Sequence, residues 1–369
     1  MRIKKSITVP KSIENIHNIF KENEFKLFLV GGAVRDSLMN INPKDFDLAT
    51  DAIPDKVKEL LPMYETIESG EQFAVVNVVT DEGTYEIATF REDIGKGRRP
   101  DEVKFSTIEK DVLRRDLTIN ALFYDLDTNE VVDLVGGIED LKNGVVRTVG
   151  KATDRFNEDK LRIMRAIRFT SRVGSTLHKD VFDAIMLDKT IISGDGKPLS
   201  QERIQDEFVK GINQSISVVD FLNMLDDCGL FNWVFHDLKT DGIKVESKDL
   251  IVVLSTLLVN NDNLDKVLVN DLKFNKSVGK QVKFLVEFSK KISVKTAFNF
   301  KTKFKDLNIT DKTILDFSVI IGMDMSLVKS FIKYEITTKG EDLINLGFKG
   351  KSLGVEKERL ETEKFKTLL

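Results

Sequence analysis

The stretch Leu29–Thr50, "LVGGAVRDSLMNINPKDFDLAT", sets a glycine pair, an Arg–Asp and two acids around a phenylalanine within 22 residues. Side chains alternate across a strand, so Asp45 and Asp47 are expected on one face while Phe46 and Leu48 take the other. Two carboxylates side by side repel unless a cation sits between them, and Mg²⁺ is the usual partner for such oxygen ligands. Two ions roughly 3.5–4 Å apart can stabilise the attacking and leaving oxygens of an in-line displacement. Upstream, a strand ending at Gly31-Gly32 and turning into "AVRDSLM" points backbone N–H groups out of a helix N-terminus, a cradle for phosphate. Gly32 is the expected contact, and Arg35, one turn into the helix, can add a charged donor. A lone D-x-D is usually a solvated strand edge and a lone Gly-Gly says less. Together, at this spacing, they read as glycines for a triphosphate and acids for metal. Glu86 in "YEIATFR" could supply a third carboxylate beside Asp45 and Asp47, or it could pair with Arg91; the spacing leaves both open.

The elements that must position these residues alternate in type up to about Gly150. "KLFLV" and "DFDLAT" read as short strands and "IPDKVKELLP" as a helix. "FAVVNVVTDEGTYEIATF" reads as a hairpin around Glu-Gly. "KDVLRRDLTINALFYDL" runs from helix to strand, and "VVDLVGGIEDLKNGVVRTVG" adds a glycine pair, a turn and a last strand. From about Phe156 the periodicity is helical, in "NEDKLRIMRAIRFTSRVG", "QERIQDEFVKGI", "SVVDFLNMLDDCGLF" and "LIVVLSTLLVN". The expectation is an α+β head with a small mixed sheet over residues 1–150. An all-α neck (151–212), body (213–300) and basic tail (301–369) follow it.

In "EDKLRIMRAIRF", 100° per residue places Asp159, Arg162, Arg165 and Arg168 on one half of a helix and Ile163, Met164 and Ile167 on the other. Arginines in succession repel, so either an anion or the acids of the head must neutralise them. Asp159 and Arg162, at i,i+3, could also bond each other.

Composition sets outer limits. The 369 residues are 41% apolar and 31% charged, ordinary for a soluble globular protein. The only cysteine, Cys228, excludes an intrachain disulfide, and three histidines make a His-rich metal site improbable. No apolar run approaches twenty residues and "MRIKKSITVPKSIENI" lacks an export core, so no membrane and a cytoplasmic location are expected. The net charge of −4 hides an asymmetry: from Asp271 onward there are 20 Lys+Arg against 13 Asp+Glu. Such a segment can follow a phosphate backbone or simply be a solvated helical surface.

The pairing of "LVGGAVRD" with "DFDLAT" resembles the nucleotidyltransferase superfamily, in particular the class II tRNA nucleotidyltransferase (CCA-adding) and bacterial poly(A) polymerase branch. "RRPDEVKF", "VLRRDLTINAL", "VVDLVGGIEDL", "FNEDKLRIMRAIRF" and "LSQERIQDEF" follow in the family's order, between about Leu27 and Lys210. The resemblance implies addition of C, C and A to the 3′ end of tRNA from CTP and ATP with Mg²⁺, and no nucleic acid template. It implies that Arg115 contacts the nucleotide phosphates and that Asp116 and Asn120 hold the ribose and the head wall. Asp159 and Arg162 would read the base, with Arg165 and Arg168 supporting the pocket, and Glu202 and Arg203 would stabilise a helix. The physics is consistent: a carboxylate accepts from the exocyclic amine of C or A and a guanidinium donates to the ring nitrogen, whereas U and G mismatch both contacts. Helical body and tail would grip the acceptor and T arms of tRNA by shape and charge.

Departures from the pattern keep alternatives open. Only "EDIGKG" (92–97) separates Phe90-Arg91 from Arg98, Arg99, Pro100 and Asp101, shorter than is usual, which leaves CC-only addition possible alongside CCA. A poly(A) polymerase with the same active site is the other enzyme reading, and a silent RNA-binding relative the non-enzyme one. "FHDLK" offers a single His236-Asp237 pair, too few ligands for the phosphohydrolase site of some relatives. The oligomeric state is not legible.

Overall fold

The computed structural model describes residues 1–68, 74–94, 102–187, 199–233 and 245–369. The chain packs as two compact units, Met1–Ile191 and Ile192–Leu369. The strands, all in the first unit, are Arg2–Lys4 (β1), Leu27–Val30 (β2), Asp47–Thr50 (β3), Glu65–Glu68 (β4), Val75–Val79 (β5), Thr84–Thr89 (β6), Arg91–Ile94 (β7), Glu102–Phe105 (β8), Leu122–Asp125 (β9), Glu130–Asp133 (β10), Val145–Val146 (β11) and Thr176–Leu177 (β12). Its helices are Lys11–Glu22 (α1), Gly32–Leu38 (α2), Pro54–Leu60 (α3), Ile108–Asp111 (α4), Gly137–Lys142 (α5), Ala152–Glu158 (α6), Leu161–Val173 (α7) and Lys179–Leu187 (α8).

Eight strands form one sheet in the order β1-β10-β9-β2-β3-β6-β5-β4. It is mixed, as expected, because β3 and β6 run parallel while the other neighbours are antiparallel. It is larger than the small sheet expected, since β1 and β4 extend its two edges. Both sheet faces are covered. Leu27, Leu29, Leu48 and Ile87 join one core with Ile13, Ile16 and Phe20 of α1 and Ala33 and Val34 of α2. Phe28, Val30, Ala49, Phe90 and Phe123 form the other. Every residue of β2 is therefore buried, as in a central strand with neighbours above and below. Alternation then fixes the side chains of interest: Leu48 and Ile87 face the first core, so Asp47 and Glu86 face the second side.

The second unit is helical throughout its described residues. It comprises Gln201–Gln214 (α9), Val218–Asp227 (α10), Leu230–Trp233 (α11), Leu250–Leu257 (α12), a π-helical turn at Lys266–Asp271, Lys276–Lys291 (α13), Ala297–Lys305 (α14), Asp311–Ile320 (α15), Met325–Lys333 (α16), Gly340–Asn345 (α17) and Lys351–Lys366 (α18). In "AFNFKTKFKDL", whose phenylalanines interleave with lysines as an RNA-binding stripe would, Phe300 and Phe304 pack into the core. Phe300 packs against Phe284 and Phe288 at 5.8 and 5.5 Å between ring centroids. Lys301 is buried and donates to the carbonyls of Phe331 and Ile332 at the end of α16, both at 3.0 Å. Glu361 of α18 is wholly buried and accepts from the Tyr334 hydroxyl (2.8 Å) and the Thr337 and Thr338 N–H groups (3.1 and 2.6 Å). Burial opposes its ionisation, but the Thr338, Tyr334 and Lys364 bonds prevail and hold the carboxyl at about 2. Cys228 is buried and free, its thiol pushed up to about 12 by burial and then Asp227. No helix among the described residues is long and apolar enough to cross a membrane.

Candidate active site

Three chain segments meet at one end of the central strands. β2 runs antiparallel to β3, so its last residue, Val30, lies opposite Asp47, the first residue of β3. Gly31 and Gly32 follow at once and start α2. Gly31 has φ +68°, a left-handed conformation that favours glycine, and its N–H donates to the Leu122 carbonyl at 3.0 Å. The turn is thereby tied to the start of β9, which continues the "RRDLTINA" segment. On the other side, parallel pairing sets Asp47 directly beside Glu86. The register places Glu86 next to Asp47 of the acid pair.

Asp45 lies two residues before β3, so the expected strand starts later than its sequence pattern implies, at Asp47. The alternation nonetheless holds, with Phe46 and Leu48 packed towards the first core and Asp45 and Asp47 exposed. The Asp47 carboxyl reaches solvent while closely surrounded by protein. Burial pushes its pKa up, Glu86 and Asp45 push it further, and Arg115 opposes them. A carboxylate destabilised by two like charges is a hard-oxygen site short of positive charge, which suits a divalent cation. Among the described residues no three His, Cys, Asp or Glu side chains close into a metal-binding group, so the acids form an open site.

Arg115 flanks the acids with its guanidinium 4.6 Å over the Phe123 ring and clamped on Asp111 by Nε (3.1 Å) and Nη2 (2.9 Å). Asp111, buried, also takes Arg114 at 2.8 Å. Burial alone would push its carboxyl up, but the two arginines hold it below the usual range. The sequence reading missed Asp111, though an acid three and four residues before Arg114 and Arg115 was a visible signal.

Arg35, expected to reach the triphosphate, is instead buried. Its Nε and Nη2 donate to Asp36 Oδ1 at 2.9 and 2.6 Å, its Nη1 donates to Asn120 Oδ1, and its guanidinium lies 4.9 Å over the Phe169 ring. It braces the glycine turn against the "RRDLTINA" segment. The Asn120 amide nitrogen is buried without a partner. Behind this segment Gly137 allows α5 to approach: a Cβ there would stand 2.2 Å from the Thr118 carbonyl oxygen.

The predicted arginine helix breaks at Asp159, which is extended between α6 and α7 and accepts from the Leu161 N–H at 3.0 Å. Asp159 thus starts α7 rather than lying on it. Arg162, Arg165 and Arg168 do share a face of α7, and the acids of the head do much of the neutralising. Arg162 pairs with Glu158 and donates to the carbonyls of Arg155 (3.3 Å) and Arg114 (3.2 Å). Arg165 grips Asp116 at 2.7 Å, and Arg168 is buried 4.2 Å over the Phe169 ring. Burial pushes the Asp116 carboxyl up, but Arg165, the Leu117 N–H and Arg162 together hold it low. Glu202 and Arg203 lie in the first turn of α9, in the second unit. Arg98 to Asp101 and His236-Asp237 lie outside the described residues.

A glycine turn, an open carboxylate pair and a set of fixed guanidiniums at one sheet end make up the equipment of nucleotidyl transfer. Comparisons with known proteins agree. Residues 27–147 match the poly A polymerase head domain family. The CCA-adding enzyme of Ligilactobacillus salivarius (strain UCC118) is 31% identical over 95% of this chain and 93% of its own length. That of Bacillus subtilis (strain 168) is 44% identical over 52% of this chain and 47% of its own. Two solved structures share the fold. The Bacillus stearothermophilus CCA-adding enzyme in complex with CTP has a TM-score of 0.72 at 23% identity, over 96% of this chain and 92% of that one. The Thermotoga maritima CCA-adding enzyme complexed with tRNA has 0.73 at 21%, over 97% and 92%. The chain belongs to the CCA-adding enzyme family of tRNA nucleotidyltransferases. Membership implies divalent-metal-dependent nucleotidyl transfer.

Proposed function

We propose that this protein adds C, C and A to the 3′ end of tRNA from CTP and ATP, releasing pyrophosphate, with protein side chains in place of a nucleic acid template. The observation that carries the reading is the register that sets Asp47 beside Glu86 at the sheet end where the Gly31-Gly32 turn begins. In this reading the turn's N–H groups and Arg115 hold the triphosphate, and the Asn120 amide and Asp116 border the ribose. Asp159 and Arg162 select the base. Asp45 and Asp47, with Glu86 adjacent, would hold Mg²⁺, which when bound lowers the barrier to attack of the tRNA hydroxyl on the α-phosphate and to departure of pyrophosphate. Arg35 acts as a brace, and Arg165 and Arg168 fix the wall behind the base.

The division into head (1–150), neck (151–212), body (213–300) and tail (301–369) is part of the same proposal, with the helical parts gripping the acceptor and T arms and the protein working in the cytoplasm. The test is to incubate the purified chain with a tRNA transcript ending at the discriminator base, CTP, ATP and Mg²⁺, and to sequence the 3′ ends. CCA termini are expected. Ends that stop at CC, or that carry A-tracts, would overturn the full reading in favour of a CC-adding enzyme or a poly(A) polymerase.

A further inference from the structure

The α7 face that carries Arg162 continues to a residue far from the base. Arg162, Arg165, Arg168, Phe169 and Arg172 fall within about 120° of one another around the helix axis, at 100° per residue. Arg162 is tied to the Arg114 carbonyl, Arg165 to Asp116 and, at the other end, Arg172 Nη2 to Asp36 Oδ2 at 2.8 Å. Asp36 is buried, and its other oxygen holds Arg35, whose Nη1 reaches Asn120. The Phe169 ring lies between these ties, with Arg35, Arg165 and Arg168 at 4.9, 5.4 and 4.2 Å from its centroid. One carboxylate therefore joins the helix that follows the glycine turn to the far end of the base-facing helix. Residues 162 and 172 are about 15 Å apart along α7.

We infer that Asp36 and Arg172 are positioning residues for base selection: their bond fixes the tilt of α7 against α2, and so the place of the Arg162 guanidinium relative to the triphosphate cradle. The inference rests on the reading of Arg162 as the base-selecting donor. With the far pin gone, α7 keeps its buried face, including Phe169 under Arg35, and its polar ties at Arg162 and Arg165, but loses its ion pair to α2. A base-reading donor tolerates little displacement, since a shift of about 1 Å costs up to roughly a hundredfold in a well-oriented site.

The test uses the full chain and a tRNA transcript ending at the discriminator base, with kcat/KM measured for CTP and UTP separately. Arg172→Gln leaves Asp36 its bond to Arg35 and does not strand a buried charge, and thermal unfolding checks that it folds. The expected result is a CTP:UTP preference reduced about tenfold while kcat for CTP stays within about threefold, with Arg172→Lys restoring part of the preference. An unchanged preference, or an equal fall for both nucleotides, overturns the inference, since a purely structural bond would do no more. Arg162→Ala is measured in parallel. If it loses discrimination and Arg172→Gln does not, the positioning role fails alone; if Arg162→Ala keeps discrimination, the base reading fails and takes the positioning role with it.

Discussion

Arg162→Ala separates base reading from triphosphate binding, because the structure shows what else that side chain does. A guanidinium has five N–H donors. Arg162 Nη1 serves Glu158 and the Arg155 carbonyl, and Nη2 serves the Arg114 carbonyl, which leaves Nε–H and one Nη2–H for a ligand. The group is held from three directions, so in the proposed reading it offers a fixed donor to the ring nitrogen of C or A. Its removal strands little: Glu158 keeps Arg155 at 2.5 Å and is 33% exposed. The fold should survive. Loss of a donor to a desolvated acceptor costs about 1–3 kcal/mol, or roughly 5- to 150-fold in kcat/KM for CTP and ATP. UTP and GTP present a ring N–H to the same donor and lose no bond, so discrimination should fall by at least that factor. Inhibition by pyrophosphate, which probes the phosphate cradle alone, should move by less than about twofold, within the precision of such differences. Steady-state incorporation of each nucleotide into a tRNA lacking its end is the assay. A CTP:UTP ratio equal to that of the unaltered protein would refute the assignment of Arg162 as template.

Other perturbations probe separate parts of the molecule. Asp47→Asn should cut incorporation by roughly a hundredfold or more, with activity partly recovered at high Mg²⁺, because one of two neighbouring ligand charges is gone; titrating Mg²⁺ against rate checks this. Gly137→Ala should destabilise by about 1–3 kcal/mol and lower kcat/KM together, since its Cβ would force the 118–120 turn, and Asn120 with it, out of place; thermal unfolding and kinetics on one preparation decide it. Glu361→Gln tests the second unit. A carboxyl lowered from 4.5 to about 2 contributes about 3 kcal/mol to stability, fully present above pH 4.5 and lost as pH falls through about 2. The variant should therefore unfold at lower urea at pH 7, and the gap to the unaltered protein should close between pH 4.5 and 2.

Much of the site was legible because its signals are local. Glycine at φ +68° and acids at alternate positions are properties of a few consecutive residues, whereas Asp111 and Glu158 went unread although they lie within one helical turn of the arginines they hold. The limits are also physical. Helical periodicity cannot show that a helix stops and restarts, because Asp159 keeps the angular pattern while its backbone is extended. Lysine–phenylalanine interleaving could not distinguish an RNA surface from a core, and packing decided for the core at Phe300 and Lys301.

Arg35 shows most clearly what a linear reading lacks. As an arginine one turn past a glycine pair it has the reach of a phosphate donor, and nothing nearby in the chain argues otherwise. Its actual partners are the adjacent Asp36, Asn120, 85 residues on, and the Phe169 ring on α7. A guanidinium held on three sides and 2% exposed would have to give up buried bonds to reach solvent, at a cost well above what one phosphate contact returns. In the proposed reading the nucleotide meets, beside the clamped Arg115, groups that packing leaves uncommitted: two N–H groups of Arg162 and the open carboxylates of Asp45 and Asp47. Chemistry at this sheet end is carried by what packing leaves unsatisfied, and the many charges around it serve to keep those few groups still.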